Sequence, residues 1–435
     1  MCKNLNLKRG DVVPKLQFLE RLPYKNTFSQ AENRGNARAC NKITVFGTSL
    51  CFFFLLIFIC ISFFTGCSRQ RTLSLPFSER IAAARVEDIL KRIMPLQMED
   101  GIVKVAVIRN LTNTDHTRLF VSGCITEGIT LGFHVDIFIT EGDDKLCKEY
   151  IYNAIEEDYD GIILSHGGAF IYDEYTYDIL HKAIQRGKKV VTFDSLPYKD
   201  GDINSEILEG VTSTSQEDFR LAEISLDSLV NYFPESMHPI RVIRTWMGPG
   251  FSPINNRKAV FDRYVEEGKI TEIAFIAPYD HSDPRGGTRT ALSELLPNIG
   301  TGSVDAIWGC YDELAKGSLD ALLEAGRKDM VIMSIDISDN DIRYMLTSPD
   351  IWISTAAVDP KLIGITNMRL LAMKFADVPT PDTYYFKAHL IETALLDNSV
   401  NMTNLSKVID GWGSEEGLFD YFDWMEELRA ITYRY

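Results

Sequence analysis

From Lys104 onward, short runs of Val and Ile alternate with amphipathic segments of about 12 to 18 residues. The apolar runs lack polar alternation, which is typical of strands that are covered on both faces in a parallel sheet. A first series of runs reads KVAVIRN, HVDIFIT, DGIILSHGG and KKVVTFDS, and a second reads IRVIRTW, ITEIAFIAP, SVDAIWG, DMVIMSID and DIWISTAAV. The pattern therefore predicts an α/β fold made of two doubly wound, Rossmann-like lobes in succession.

We expect a three-segment hinge between the lobes, with crossings near Thr214, Val358 and Lys387. The predicted limits are 102–213 with 358–386 for the first lobe, and 214–357 with 387–435 for the second. Open α/β sheets bind ligands outside the carboxyl ends of their strands. Two such lobes would turn these ends toward each other, so the cleft between them is the predicted site and its closure a hinge motion.

An uncharged apolar run, Ile43–Ser68, is long enough to cross a bilayer, which takes about 20 residues. Arg34, Arg38 and Lys42 precede it, and the positive-inside bias predicts that everything after the run is exported. Two hypotheses for the anchor stay open. The run is either an uncleaved transmembrane helix or a signal peptide whose FTGC end resembles a bacterial lipobox, with a lipid on Cys67.

On either hypothesis, residues 1–67 are a signal peptide or membrane anchor with a long basic N-terminal extension, and residues 68–101 are a tether and a leading helix. The extension is either a cytoplasmic tail or the result of a start codon assigned too far upstream. Whether the host has an outer membrane stays open, so the predicted location is the outer side of the cell membrane, in a periplasm or at the cell surface.

The net charge of the chain excludes one class of binding partner. The full chain has a net charge of −16, and the residues after Cys67 contain 36 basic and 58 acidic side chains, a net charge of about −22. This negative field disfavours nucleic acid as a partner.

The predicted exported part has only Cys124, Cys147 and Cys310 and no CxxC pair, so we expect buried thiols rather than a disulfide framework.

The common catalytic and cofactor motifs are absent from the sequence. It contains no GxxxxGK[ST] phosphate loop, no GxSxG elbow and no HExxH helix. The seven histidines are scattered without the spacing of a metal site. We therefore expect neither a cofactor nor catalysis.

Seven segments, in this order, resemble a type I periplasmic binding protein of the ribose- and galactose-binding branch, which serves ABC importers. They are KVAVIRNLTNTDHTRLF, DGIILSHG, VVTFDS, INNRKAVF, AIWGCYDELAKGSLDAL, VIMSIDIS and DPKLIGITNMRLL, spread over residues 101–410. The same fold forms the effector domain of lactose-repressor-type proteins. The resemblance implies a monomeric solute-binding lipoprotein that captures a small sugar or polyol and delivers it, unaltered, to an ABC transporter permease.

The resemblance also implies which residues bind the ligand. Asp194 and Asp336 match the carboxylates that accept sugar hydroxyls from the two lobes. Tyr311 stands where ribose binders have an amide, and Ser165 stands at a similar position. Asn255 falls where an arginine commonly reaches the ligand, while Arg257 is interpreted as a brace of the lobe.

In the first loop Asn113 fits the family pattern. Asp115, His116 and, from the second lobe, His281 stand where aromatic rings usually sandwich the sugar. An imidazole can stack, though less strongly than Trp or Phe. Trp246 and Trp308 are further stacking candidates, although core packing is favoured for both. The converging carboxylates of Asp115, Asp194 and Asp336 disfavour an anionic ligand and favour a neutral carbohydrate; they also admit a ligand that carries a cation.

Two rival functions remain open at this point. The same clamp could serve as a membrane-anchored sugar sensor for a histidine kinase or chemoreceptor, in which case only the partner differs. A less favoured alternative is an α/β enzyme that uses the cleft carboxylates as acid and base.

Overall fold

A computed structural model describes residues 103–166, 174–199, 205–248, 252–278 and 282–414. The predicted anchor with Cys67, the tether and the candidate ligand residue His281 lie outside these ranges. Within them, no helix combines the length and the apolar character that crossing a membrane requires.

The described elements follow one another as the alternating pattern predicts. The strands are β1 (Lys104–Arg109), β2 (His134–Ile139), β3 (Gly161–Ser165), β4 (Lys189–Phe193), β5 (Val211–Gln216), β6 (Ile240–Thr245), β7 (Ile270–Ile276), β8 (Ala306–Trp308), β9 (Val331–Ile335), β10 (Trp352–Ala357), β11 (Thr383–Phe386) and β12 (His389–Glu392). The helices are α1 (Asp115–Thr130), α2 (Asp144–Glu156), α3 (Glu174–Gln185), α4 (Asp218–Tyr232), α5 (Ser252–Glu266), α6 (Pro284–Leu295), α7 (Asp312–Glu324), α8 (Asp339–Thr347) and α9 (Pro360–Phe375).

The strands form two six-stranded sheets with the same connectivity. The first has the order β11-β5-β4-β3-β1-β2 and the second β12-β10-β9-β8-β6-β7. All neighbouring strands of the first sheet pair in parallel, and in the second sheet β12 alone is antiparallel. Every residue of β3 and of β8 is buried, which explains their uninterrupted apolar runs. The predicted fold class, two parallel-dominated α/β lobes, is confirmed.

The chain passes from one sheet to the other three times. It leaves the first sheet between β5 and α4, returns between β10 and α9, and leaves again between β11 and β12. Thr214 lies inside β5, where it pairs with Phe193 of β4 and Tyr384 of β11, so the first passage follows Gln216. The residue limits given above for the lobes stay a prediction.

Cys124, Cys147 and Cys310 are buried free thiols, as the sequence predicts. Burial raises the pKa of the Cys310 thiol to about 12, so this group stays protonated and unreactive at neutral pH. Among the described residues, the core of each lobe is therefore stabilised by packing and not by disulfide bonds.

The first lobe depends on a close contact between α1 and α9. A Cβ atom on Gly123 would lie 2.1 Å from the carbonyl oxygen of Lys361, and one on Gly364 would lie 2.1 Å from that of Phe120. Only glycine permits this approach, because the obstructing atoms belong to the backbone.

We therefore expect Gly123→Ala to lower the free energy of unfolding by about 2–3 kcal/mol. The matched control is Gly300→Ala, where the nearest atom to an added Cβ is 4.0 Å away, and which should unfold like the wild type. Urea unfolding of both variants checks the expectation. Equal midpoints for the two alanine variants would contradict the proposed close packing.

Candidate functional site

In each sheet an aspartate with left-handed backbone geometry directly follows the strand that is third in the order given above, β4 in the first sheet and β9 in the second. Asp194 follows β4 with φ of 52°, and Asp336 follows β9 with φ of 74°. Their backbone N–H groups donate to Thr214 and Ala356 on the next strand, each at 2.9 Å. Left-handed geometry is uncommon for a residue with a side chain, and strained positions of this kind concentrate at functional sites. The repeated device places two carboxylates at equivalent sheet edges.

Asp194 is the first-lobe carboxylate of this pair. Its Oδ1 accepts a hydrogen bond from the Ser215 hydroxyl at 3.1 Å. Burial and the negative charge of Asp218 raise the pKa of Asp194 to about 7, while Arg109 and Arg257 oppose the rise. The carboxyl is therefore close to half-protonated at neutral pH.

In the second lobe, Asp336 belongs to a buried charge triad. Arg257 donates to Asp336 Oδ2 at 3.2 Å, to Asp218 Oδ1 at 2.9 Å and to the carbonyl oxygen of Cys310 at 2.9 Å. Asp218 begins α4 directly after the first passage between the sheets, so Arg257 links the hinge to the site. The other oxygen of Asp336, Oδ1, is buried without a hydrogen-bond partner in the described chain.

Arg109, the last residue of β1, was missed by the sequence analysis. Its side chain is buried and donates to Ser165 Oγ at 2.5 Å and Thr117 Oγ1 at 3.0 Å, and it contacts His116 Nδ1 at 3.1 Å. Burial lowers its pKa to about 10, which leaves it charged at neutral pH. No carboxylate of the described residues lies within ion-pair distance of it. The signal in the sequence is a basic residue that directly follows the apolar run VAVI of β1.

His116 lies beside this arginine. Its ring stacks on Phe193 with 6.3 Å between the centroids and 4° between the planes. Burial and the charge of Arg109 lower its pKa to about 3, so the imidazole is neutral. Its Nε2 atom is buried and has no hydrogen-bond partner among the described residues, which leaves it available to a ligand hydroxyl.

The other predicted residues lie in different environments, and some of them are exposed or packed in the core. Tyr311 directly precedes α7, and its hydroxyl contacts the sulfur of Met247 at 3.5 Å. Asp115 contacts the second lobe, whereas Asn113 and Asn255 are exposed. Trp308 is fully buried and donates to Ser225 Oγ at 3.1 Å, which agrees with core packing.

The structure thus brings Ser165, His116, Asp194 and Asp336 to the carboxyl edges of the two sheets, together with Arg109 and Arg257. The charges of both lobes act on one another, since Asp194 and Asp336 both raise the pKa of Arg109 against the effect of burial. The set combines carboxylate acceptors with guanidinium donors, and a hydroxyl group can pair with both kinds of group.

Comparisons with known proteins agree with this geometry. Residues 105–376 match the periplasmic binding protein domain family. A crystal structure of a sugar ABC transporter from Yersinia enterocolitica is 37% identical, with a TM-score of 0.68, and the match covers 76% of this chain and 96% of that one. No curated protein gives a significant match.

Two more distant structures share the fold. One is a 5-methylthioribose transporter solute binding protein from Thermotoga lettingae, 23% identical with a TM-score of 0.65, covering 76% of this chain and 97% of that one. The other is a glucose-galactose binding protein from Geobacillus stearothermophilus, 16% identical with a TM-score of 0.56, covering 68% and 99%. The chain belongs to the periplasmic binding proteins, a family that binds solutes and is not catalytic.

Proposed function

We propose that the protein is the extracytoplasmic solute-binding component of a sugar ABC importer and holds a small neutral carbohydrate between its lobes. The observation that carries this proposal is the pair of carboxylates at equivalent strand ends, Asp194 and Asp336. One oxygen of Asp336 is buried and has no hydrogen-bond partner among the described residues. The 37% identity to a sugar ABC transporter supports the transport context. The permease is the partner to which the ligand is delivered unaltered.

The charge balance of the site favours a neutral guest. Three carboxylates, Asp194, Asp218 and Asp336, oppose the two guanidinium groups of Arg109 and Arg257. An anionic ligand would add a buried charge of the sign already in excess, which is costly. A cationic ligand would meet only a partial excess of negative charge, because Asp194 is about half protonated at neutral pH. Sugar hydroxyls donate to carboxylates and accept from guanidinium groups, so a polyol satisfies both kinds of partner. A ligand that lacks one hydroxyl would leave a buried group unpaired and bind less tightly.

The anchor is proposed from the sequence alone. A lipid on Cys67 would hold the binding domain at the outer surface of the membrane, and an uncleaved helix from Ile43 would do the same. Mass spectrometry of the mature N-terminus separates the two. A diacylglyceryl group on an N-terminal Cys67 supports the lipoprotein, whereas an intact segment before it supports the helix.

A panel of aldoses, ketoses and polyols tests the binding function. Thermal unfolding of the purified protein should shift upward with at least one of them, because a ligand that binds only the folded state stabilises it. Chromatography of the recovered ligand should return the starting sugar. A panel without any shift, or a converted sugar, would contradict the proposal.

The raised pKa of Asp194 predicts that sugar binding releases protons. Hydroxyl groups that donate to Asp194 favour its charged form, so binding should lower its pKa from about 7. Affinity should therefore fall as the pH drops below about 7 and level off above it. Calorimetry in buffers of different ionisation enthalpy should detect a fraction of a proton released at about pH 6 and none at about pH 9. Equal buffer dependence at both pH values would count against a role for this carboxyl.

A further inference from the structure

Lys316 on α7 is a buried lysine that the proposed site does not use. Its side chain is 2% exposed, and its ammonium group lies 3.2 Å from Asp312, 2.8 Å from Glu313 and 3.2 Å from Asp341. These three carboxylates belong to the second lobe, on α7 and α8. A buried ammonium surrounded in this way is a fixed centre of charge rather than a solvated surface group.

A fourth carboxylate reaches this centre from the other lobe. Asp115 begins α1, which packs on α9 and the first sheet, and its Oδ2 lies 3.6 Å from Lys316 Nζ. At the start of α8, Asn340 Nδ2 donates a hydrogen bond to the same oxygen at 2.6 Å. Ser338 Oγ lies 3.2 Å from it, although the Ser338 hydroxyl has a closer acceptor in Asp341 Oδ2 at 2.6 Å. Its Oδ1 accepts from Arg118 on its own helix. Both oxygens of Asp115 are therefore engaged by protein groups.

We propose that Asp115 of the first lobe and Lys316, Ser338 and Asn340 of the second lobe form a latch that holds the cleft closed in the absence of ligand. The latch extends the proposed function, since it would set how readily the empty protein closes. Every contact from Asp115 to the second lobe exists only while the lobes are together. Opening removes Asp115 from Lys316 and leaves the Asn340 amide group to bond with water, while Ser338 keeps its hydrogen bond to Asp341.

Opening the latch leaves none of its charged groups buried without a partner. The side chain of Asp115 is 13% exposed, so water can reach it as the lobes part, and it does not become a buried unpaired charge. Lys316 keeps three carboxylates of its own lobe in the open state, so opening does not strand it either. The free-energy difference therefore comes mainly from the hydrogen bond of Asn340 to a charged group and from one longer ion pair.

Asp115→Asn in the full-length protein tests the latch without any sugar. Fluorophores introduced as non-canonical amino acids at Lys145 and Thr290, exposed residues of the first and second lobes, report the distance between the lobes. The variant should shift the ligand-free population toward the open form by about tenfold. Asp143→Asn makes the same chemical change at the N-cap of α2 and should leave the population unchanged.

A second variant keeps the test decisive if the first one fails to fold. Asn340→Asp changes only the partner side and places a negative charge against Asp115, so it should also open the empty protein. An unchanged distance between the lobes in both ligand-free variants would overturn the latch. If Asp115→Asn weakens sugar binding without changing that distance, Asp115 is a ligand contact and the latch is likewise wrong. Because the readout uses empty protein, failure of the sugar panel leaves this result interpretable.

Discussion

Replacing Asp194 by Asn should lower sugar affinity by about 100-fold, because two hydrogen bonds from sugar hydroxyls to a charged acceptor would be lost. Asparagine is the appropriate replacement since it keeps the size of the side chain and tolerates the left-handed backbone that Asp194 adopts. Alanine at this position would add backbone strain and confuse stability with binding. Calorimetric titration of the sugar identified by the panel measures the change.

The chain offers a matched control in Asp377, which has the same φ of 52° but lies exposed at the end of α9. Asp377→Asn should bind the sugar like the wild type. If Asp194→Asn retains full affinity and an unchanged fold, the carboxylate assignment is wrong. The unfolding midpoint of the ligand-free variant should stay within a few degrees of the wild type. Among the described residues Ser215 donates the one side-chain hydrogen bond to Asp194, and the effects of Asp218 and of the two arginines on its charge oppose each other.

Replacing Arg257 by Met should have the largest effect on stability. The change leaves the carboxylates of Asp218 and Asp336 buried without their shared cation, which costs about 3–5 kcal/mol. Thermal unfolding should shift downward by about 10 °C. Sugar binding should also be lost, because Asp336 would no longer be held toward the cleft.

The triple variant Asp218→Asn, Arg257→Met, Asp336→Asn separates the two effects. Removing all three charges should recover most of the unfolding midpoint, since neutral replacements of a buried ion triad are often tolerated. Binding should stay lost. Arg263→Met on the same helix is the control, because its ion pair with Glu223 is exposed and should leave the midpoint unchanged. Equal destabilisation by Arg257→Met and Arg263→Met would refute the triad.

The fold was predictable because buried parallel strands require continuous apolar runs. The sequence KVAVIR and its counterparts carry that signal directly, and each occurs at a strand of the structure. The tandem repetition of the pattern likewise predicted two similar sheets. The first passage between the sheets is predicted near Thr214, and β5 continues two residues further, to Gln216.

The position of a site residue was predictable where the residue directly follows a strand that the sequence pattern identifies. Asp194 and Asp336 each follow an apolar strand, so their placement at a sheet edge depends on local order alone. Their assignment as ligand residues stays a prediction. Asn255 illustrates the opposite case: its exposure depends on which face of α5 packs on the lobe, and that face buries Arg257 two residues later.

Contacts between distant segments were not predictable. Asp218 has the appearance of an ordinary acidic residue at the start of a helix, and only the folded chain brings Arg257 against it. Lys316 in DELAKGSLDAL likewise resembles the polar face of an amphipathic helix. Its burial follows from the packing of α7 against α8 and from Asp115, which is far away in sequence. The first pair depends on how α4 and α5 pack within the second lobe, and the contact of Lys316 with Asp115 depends on how the lobes meet. No local pattern encodes either arrangement.

Titration of the wild-type protein and of the double variant Asp194→Asn, Asp336→Asn with the same neutral sugar tests the central idea most directly. If the two lobes clamp an uncharged guest through these carboxylates, calorimetry should give one site per wild-type chain and no measurable heat of binding for the double variant, with both proteins folded. Equal affinity in the two proteins, or binding of charged solutes alone, would contradict it.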